Sequence, residues 1–359
     1  MKQKIIFTPG PSQLYFTVED HIRKAFRDGI PSLSHRSKTF EEIFIRATAG
    51  LRSLLGIPEH FHIVFTASAT EIWERCIQNL VAEQSAHYVN GAFGKRFFET
   101  AGQLGKKAEA ITASDDEGFT TQQTHDSAEL IALTHNETST GVSLPMAFIN
   151  GFRETNPQAL IAVDAVSSLP YPEFDFTKID SLFFSVQKGF GLPAGLGVWI
   201  VNTRCLERAE QIKSKGALIG TYHNLPSLVS YARKNQTPET PNVLGIYLLA
   251  MVVEDMLRRG IKAIRNETEY KAAILYQALE ANRFIKPFVR KTEWRSKTVV
   301  VADCGTYTKS LTEYLMQKGI QPGEGYGSYH AMQLRFANFP AHSKEQVELL
   351  VDLLQNFEP

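Results

Sequence analysis

Six short runs constrain this chain more than anything else in it: His62-Ile63-Val64-Phe65-Thr66, Ala86 to Val89, Leu130 to Thr134, Leu160 to Val163, Ser181 to Ser185 and Val198 to Val201. Several are apolar and β-rich without the alternation of a half-exposed strand, the pattern of strands covered by helices on both faces. Between them lie helical stretches such as Thr70 to Val81, where Ile72, Trp73, Cys76, Ile77 and Leu80 fall at helical spacing. Strand, helix, strand in series predicts an α/β fold with a mostly parallel central sheet and right-handed crossovers.

After about residue 240 the texture changes. Val243 to Arg258 and Glu267 to Ala281 read as helices, Lys297 to Ala302 as a strand, Ser310 to Lys318 as a helix, Met332 to Ala337 as a strand and Ser343 to Leu354 as a final helix. The predicted organisation is an irregular N-terminal segment (1–20) docked on a large α/β domain (21–240), followed by a smaller C-terminal α+β domain (241–359). A length of 359 residues is enough for two such units.

Charge and cysteine usage narrow the function classes. Lys+Arg and Asp+Glu are 38 each, so no net field draws the chain to nucleic acid or an anionic membrane. Cys76, Cys205 and Cys304 are odd in number and far apart, which reads as reduced thiols in a cytoplasmic protein. The N-terminus reaches Pro9-Gly10-Pro11 before a signal-length apolar core can form. The most apolar later stretch, Asn242 to Val253, falls well short of the ~20 residues a spanning helix needs. No metal is expected.

The sharpest chemical signal is Ser185-Val186-Gln187-Lys188-Gly189-Phe190-Gly191. Lysine directly after an apolar strand is rarely buried unless paired or functional, and a desolvated lysine is a competent imine-forming nucleophile. The glycines do not make a dinucleotide fingerprint, because position 194 is Ala and a strand, not a helix, follows. Asp164, 24 residues upstream, closes another apolar run at a strand's C-terminal end, where open α/β sheets bind ligands. Read alone, it could equally be a helix N-cap. A lysine to form an imine and a carboxylate to keep a ring nitrogen protonated are together what pyridoxal phosphate requires.

With these segments in view the chain resembles the class V aminotransferases, fold-type-I pyridoxal-phosphate enzymes, and within them the phosphoserine aminotransferases. The resemblance runs through Phe7-Thr8-Pro9-Gly10-Pro11-Ser12, Ser34-His35-Arg36-Ser37, Thr66-Ala67-Ser68-Ala69-Thr70-Glu71, Asn136-Glu137-Thr138, Asp164 and Ser185-x-Gln187-Lys188. It implies a large domain with a mostly parallel sheet, a small C-terminal domain, and pyridoxal 5′-phosphate as cofactor. Lys188 and Asp164 are the implied catalytic residues. Ser68, Ala69 and Thr70 are expected to cup the cofactor phosphate on outward-pointing N–H groups at a helix start. Phe93, where the phosphoserine enzymes usually have Trp, is expected to stack on the ring, Thr138 to bond the ring face or its phenolic oxygen, and Gln187 to touch the cofactor. Asn235 and Thr237 are expected to close the phosphate site from a neighbouring subunit, making the enzyme a homodimer with shared sites.

The same resemblance puts Gly10 near the substrate and Arg335 on its α-carboxylate. It leaves His35, Arg36 and His330 to receive a distal anion. Here the chain departs from the family: Ser328 and Tyr329 stand where a His-Arg pair is usual. The implied reaction is transamination between an amino acid and a 2-oxo acid, phosphoserine with 2-oxoglutarate first, in serine biosynthesis. The alternatives are an alanine/serine–glyoxylate type of aminotransferase, a cysteine desulfurase or lyase, and a non-catalytic cofactor binder. Gln187 speaks against the desulfurase, which usually has His before the lysine, and the joint presence of Lys188, Asp164 and Arg335 speaks against the binder.

Overall fold

A computed structural model describes residues 4–359. Its strands in chain order are β1 (Ile5–Phe7), β2 (His62–Thr66), β3 (Gln84–Val89), β4 (Lys107–Thr112), β5 (Leu130–Thr134), β6 (Asn136–Glu137), β7 (Val142–Ser143), β8 (Leu160–Asp164), β9 (Ser181–Ser185), β10 (Gly197–Val201), β11 (Lys286–Pro287), β12 (Val299–Asp303), β13 (Ile320–Glu324) and β14 (Gln333–Ala337). Seven form the large sheet in the order β2-β10-β9-β8-β5-β3-β4, parallel throughout except for β10, which is antiparallel to both its neighbours. This is the mostly parallel sheet that the apolar runs imply.

The lack of alternation in those runs has a direct cause. Ile63, Phe65, Ile131, Leu133, Leu182, Phe184, Val198 and Ile200 enter one core, while Val64, Leu130, Ala132, Phe183, Trp199 and Val201 enter another. Successive side chains of a strand point to opposite faces, so a sheet buried on both sides needs apolar residues at every position. The first core is closed by the helices Lys38–Leu55 and Val243–Arg259, the second by Ala69–Leu80, Ala92–Gln103 and Thr203–Ser214. Each large side chain so buried stabilises the fold by about 1.5–3 kcal/mol relative to exposure.

The smaller sheet differs from the expected two strands. It has five, in the order β1-β13-β14-β12-β11. β13 reads poorly in sequence because Gln321-Pro322-Gly323 carries neither apolar residues nor an obvious pattern. The N-terminal segment is not irregular: β1 pairs in parallel with β13, and a helix begins at Val18. Val243–Arg259 lies beyond the boundary expected at 240 yet packs in the large-sheet core, so the small sheet joins the large unit through the long helix Ile261–Ala281. No helix among the described residues is long and apolar enough to cross a membrane.

Candidate active site

The C-terminal ends of β5, β8 and β9 lie side by side, with Thr134 paired to Asp164 and Asp164 to Phe183. In a parallel sheet the chain must turn back there into helices, and the polar loop residues gather at one edge. Lys188 comes off β9 and is 7% exposed. Its Nζ donates to Thr138 Oγ1 at 3.0 Å and lies 5.1 Å from the centre of the Phe93 ring. No carboxylate among the described residues hydrogen-bonds it. Burial drives its pKa down; Asp164 pushes it up, Arg335 down again and Glu137 up, leaving it at about 8. An amine held this way is part free base near neutral pH.

Asp164 is also buried. Oδ1 accepts from the Val166 N–H at 2.9 Å and Oδ2 from Trp73 Nε1 at 2.8 Å. Burial raises its pKa to about 6 against the downward pull of those two donors and of Lys188. Trp73 escaped the sequence reading because at helical spacing it looks like any core residue. Only its indole N–H, which needs a buried acceptor, could have signalled more.

Arg335 on β14 donates from Nε to the Glu324 carbonyl at 2.7 Å and from Nη1 to the Thr138 carbonyl at 3.1 Å, while Nη2 has no bond among the described residues. Burial lowers its pKa to about 10, with Tyr326, Glu137 and Glu324 opposing. Thr138 thus touches both cations. Glu137, which the Asn136-Glu137-Thr138 segment leaves without a role, is fully buried: it accepts from the Phe93 and Gly94 N–H groups at 3.1 and 3.0 Å and from Ser139, pinning the start of the helix Ala92–Gln103. A side chain on Gly91 would lie 2.4 Å from Glu137 Cγ, so glycine is what lets this turn close. Gly10, at φ +144°, lies against the Lys188 stem, where an added Cβ would be 2.7 Å from Cε.

The expected phosphate cup is partly spoken for. The Ala69 N–H donates to Ser185 Oγ at 2.9 Å, so of the three expected N–H groups this one already has a protein acceptor, while Ser68 Oγ accepts from the Glu71 N–H at 3.1 Å. The Thr70 N–H has no partner among the described residues. The enclosed Gln187 Oε1 likewise has none.

A second group of candidates lies apart. Arg36 donates to Gln236 Oε1 and to the carbonyls of Thr237 and Pro238 at 2.9, 2.6 and 3.2 Å, and stands over the Tyr231 ring. His35 is beside it, its pKa lowered by burial and by Arg36. Asn235 has a left-handed backbone (φ 56°), and Thr237 Oγ1 donates to the Glu239 carbonyl. None of their bonds reaches Lys188, Asp164 or Arg335 within one subunit. Glu239 does reach the cup's helix, through His223, which pairs with both Glu71 and Glu239. His330 is exposed and bonded to Glu324 Oε2 at 2.9 Å, so in this chain its ring is already committed to an acid.

Residues 5–338 match the family Aminotransferase class-V. A solved structure, a phosphoserine aminotransferase from Cytophaga hutchinsonii, is 50% identical, covers 99% of both chains and superposes with a TM-score of 0.97. A phosphoserine aminotransferase from Rhodococcus opacus is 30% identical over 322 residues, covering 88% of this chain and 85% of the relative. An aspartate aminotransferase from Thermus thermophilus, 24% identical with a TM-score of 0.84 and 97% of each chain covered, shares the fold.

Proposed function

This chain belongs to the class V aminotransferases, a pyridoxal-phosphate-dependent family, and from that premise we propose that it exchanges the amino group of phosphoserine with 2-oxoglutarate in the cytoplasm. That its substrates are an amino acid and a 2-oxo acid follows from the family. Phosphoserine is favoured by the names of the relatives at 50% and 30% identity, and the cytoplasm by three free, buried cysteines.

The residues present fit the cofactor. A 12-residue helix starts at the cup with the Thr70 N–H free for an anion, and the orphaned Gln187 amide faces no protein partner. When bound, pyridoxal phosphate supplies an aldehyde that an amine can join and a ring that draws electrons from Cα once its nitrogen is protonated.

A buried amine at a strand end, bonded to Thr138 but to no carboxylate and one strand over from the buried Asp164, carries this reading. With the cofactor bound, Lys188 would supply the amine that holds its aldehyde. Freed when the donor binds, Nζ would take the proton from the substrate's Cα and deliver it to the cofactor carbon that receives the amino group, a task suited to a pKa near 8. Thr138 aims Nζ. Asp164 keeps the ring nitrogen protonated while Trp73 and the Val166 N–H fix its orientation. Phe93 offers the ring an apolar face, and Arg335 grips the α-carboxylate through its free Nη2 edge.

Arg36, His35, Asn235 and Thr237 complete the neighbouring subunit's site in a homodimer. That none of their bonds reaches Lys188 within one chain supports this, as do the exposed side chains of Phe16, Phe26, Leu218 and Tyr222. The test is a screen of phosphoserine, glutamate, alanine and serine against 2-oxoglutarate and glyoxylate. The highest kcat/KM is expected for phosphoserine with 2-oxoglutarate. Alanine or serine with glyoxylate in first place overturns the specificity and leaves the transamination.

A further inference from the structure

Two guanidinium groups flank one ring. Arg335 lies 5.4 Å from the centre of the Tyr326 ring and Arg96 lies 5.6 Å from it, so the two charges are no more than twice that distance apart. Arg96 is also 5.9 Å from the centre of the Phe93 ring, over which Lys188 Nζ stands at 5.1 Å. Phe93 and Tyr326 are themselves 5.2 Å apart. Arg96 therefore belongs to the wall of the site.

Its charge is unspent. Lys95, the next residue back, pairs with Glu99 one turn on. The residue one turn on from Arg96 is Thr100, which bonds to the Arg96 carbonyl and offers no carboxylate. Among the described residues Arg96 has no hydrogen-bond or ion-pair partner, whereas Arg335 is fixed by two carbonyls and Arg36 by three acceptors. The nearby acid Glu324 is engaged by His330. An exposed, planar, five-donor cation beside a reaction site, with nothing of its own to neutralise it, suits a tetrahedral or planar anion.

We propose that Arg96 determines specificity by binding the distal anion of the amino donor, phosphate or carboxylate, while Arg335 holds the α-carboxylate. The inference rests on the aminotransferase reading and deepens it by naming the residue that reads the substrate's far end. In this chain Arg96 does what Ser328 and Tyr329 cannot. Tyr329 is a neutral phenol committed to Asp115 at 2.9 Å.

The test uses the cofactor-loaded wild type, Arg96→Gln, Arg96→Lys and Arg36→Ala. The readout is the ratio of kcat/KM for a distally anionic donor (phosphoserine, glutamate or aspartate) to that for alanine. Arg96→Gln is expected to lower the ratio about 10–150-fold, the loss of one charge-assisted anion contact, and Arg96→Lys to restore part of it. A ratio changed less than about threefold in Arg96→Gln overturns the proposal, whether or not both rates fall together. So does a ratio that collapses in Arg36→Ala alone, or a wild type with no preference for any distal anion. A wild type that prefers glutamate or aspartate to phosphoserine, and loses that preference in Arg96→Gln, overturns phosphoserine as the donor and upholds Arg96.

Discussion

At Asp164 two opposed demands meet in one side chain. Burial favours the neutral acid and lifts its pKa to about 6, while the Val166 N–H, the Trp73 indole and the Lys188 amine favour the anion. The balance is close enough that one further positive partner, a ring N–H⁺, holds the carboxylate charged across the neutral range. Asp164→Asn keeps the size and one of the two acceptor oxygens that Val166 and Trp73 use, but removes that charge. It should therefore leave the protein folded and the cofactor bound while kcat drops on the order of 10²-fold or more. Steady-state rates at cofactor occupancy verified by absorbance check this, and undiminished turnover at full occupancy would refute the role given to Asp164.

Helix Ala69–Leu80 is an element whose first turn is tied from outside by charge. Burial disfavours the His223 cation, yet Glu239 and Glu71 outweigh it and raise its pKa to about 9, well above the ordinary 6.5. A raised histidine stabilises the fold fully below its unfolded pKa, and that contribution fades as pH climbs through the folded value. His223→Gln should thus lower Tm by a few degrees at pH 6–7, and the gap to wild type should close above about pH 9. Thermal melts across that range decide it; a gap constant with pH would show a packing effect instead.

How much of these elements could be read beforehand depends on what each residue's neighbours are. The strands β2, β5, β8, β9 and β10 were legible because burial on two faces leaves an unbroken apolar run. β4 was not, being an edge strand with mostly exposed polar positions, nor was β13, held in register by its partners and not by its composition. Lys188, Asp164 and Arg335 stood out as charges in apolar surroundings. Trp73 matters through Asp164, 91 residues away, and Arg96 through Tyr326 on the far side of the chain, which no local pattern contains.

At the scale of the molecule, the arginine and threonine that sit away from Lys188 make a prediction about subunits. Lys188→Ala should be nearly inactive alone, and Arg36→Ala clearly slower with every donor. If each site takes Lys188 from one chain and Arg36 from its partner, unfolding and refolding the two variants together leaves one intact site in every mixed dimer. Activity should then return to about a quarter of wild type, the statistical share for random pairing. Assays of the refolded mixture against each parent, with sedimentation to confirm the dimer, check this; no recovery in a mixture shown to contain mixed dimers would place Arg36 and Lys188 in the same chain's site. The chain's amino end is the other long-range feature. β1 is hydrogen-bonded into the small sheet; a few residues later Gly10 rests on the Lys188 stem, and the Ser12 and Tyr15 N–H groups bond the carbonyls of Gln187 and Gly191. This stretch is a tie-rod bolted at one end to the small sheet and at the other to the loop that carries the reactive amine. Any tilt of the small sheet, by substrate gripped at Arg335, is felt mechanically at the far end of the rod, where a methylene of Lys188 has only a hydrogen atom's clearance.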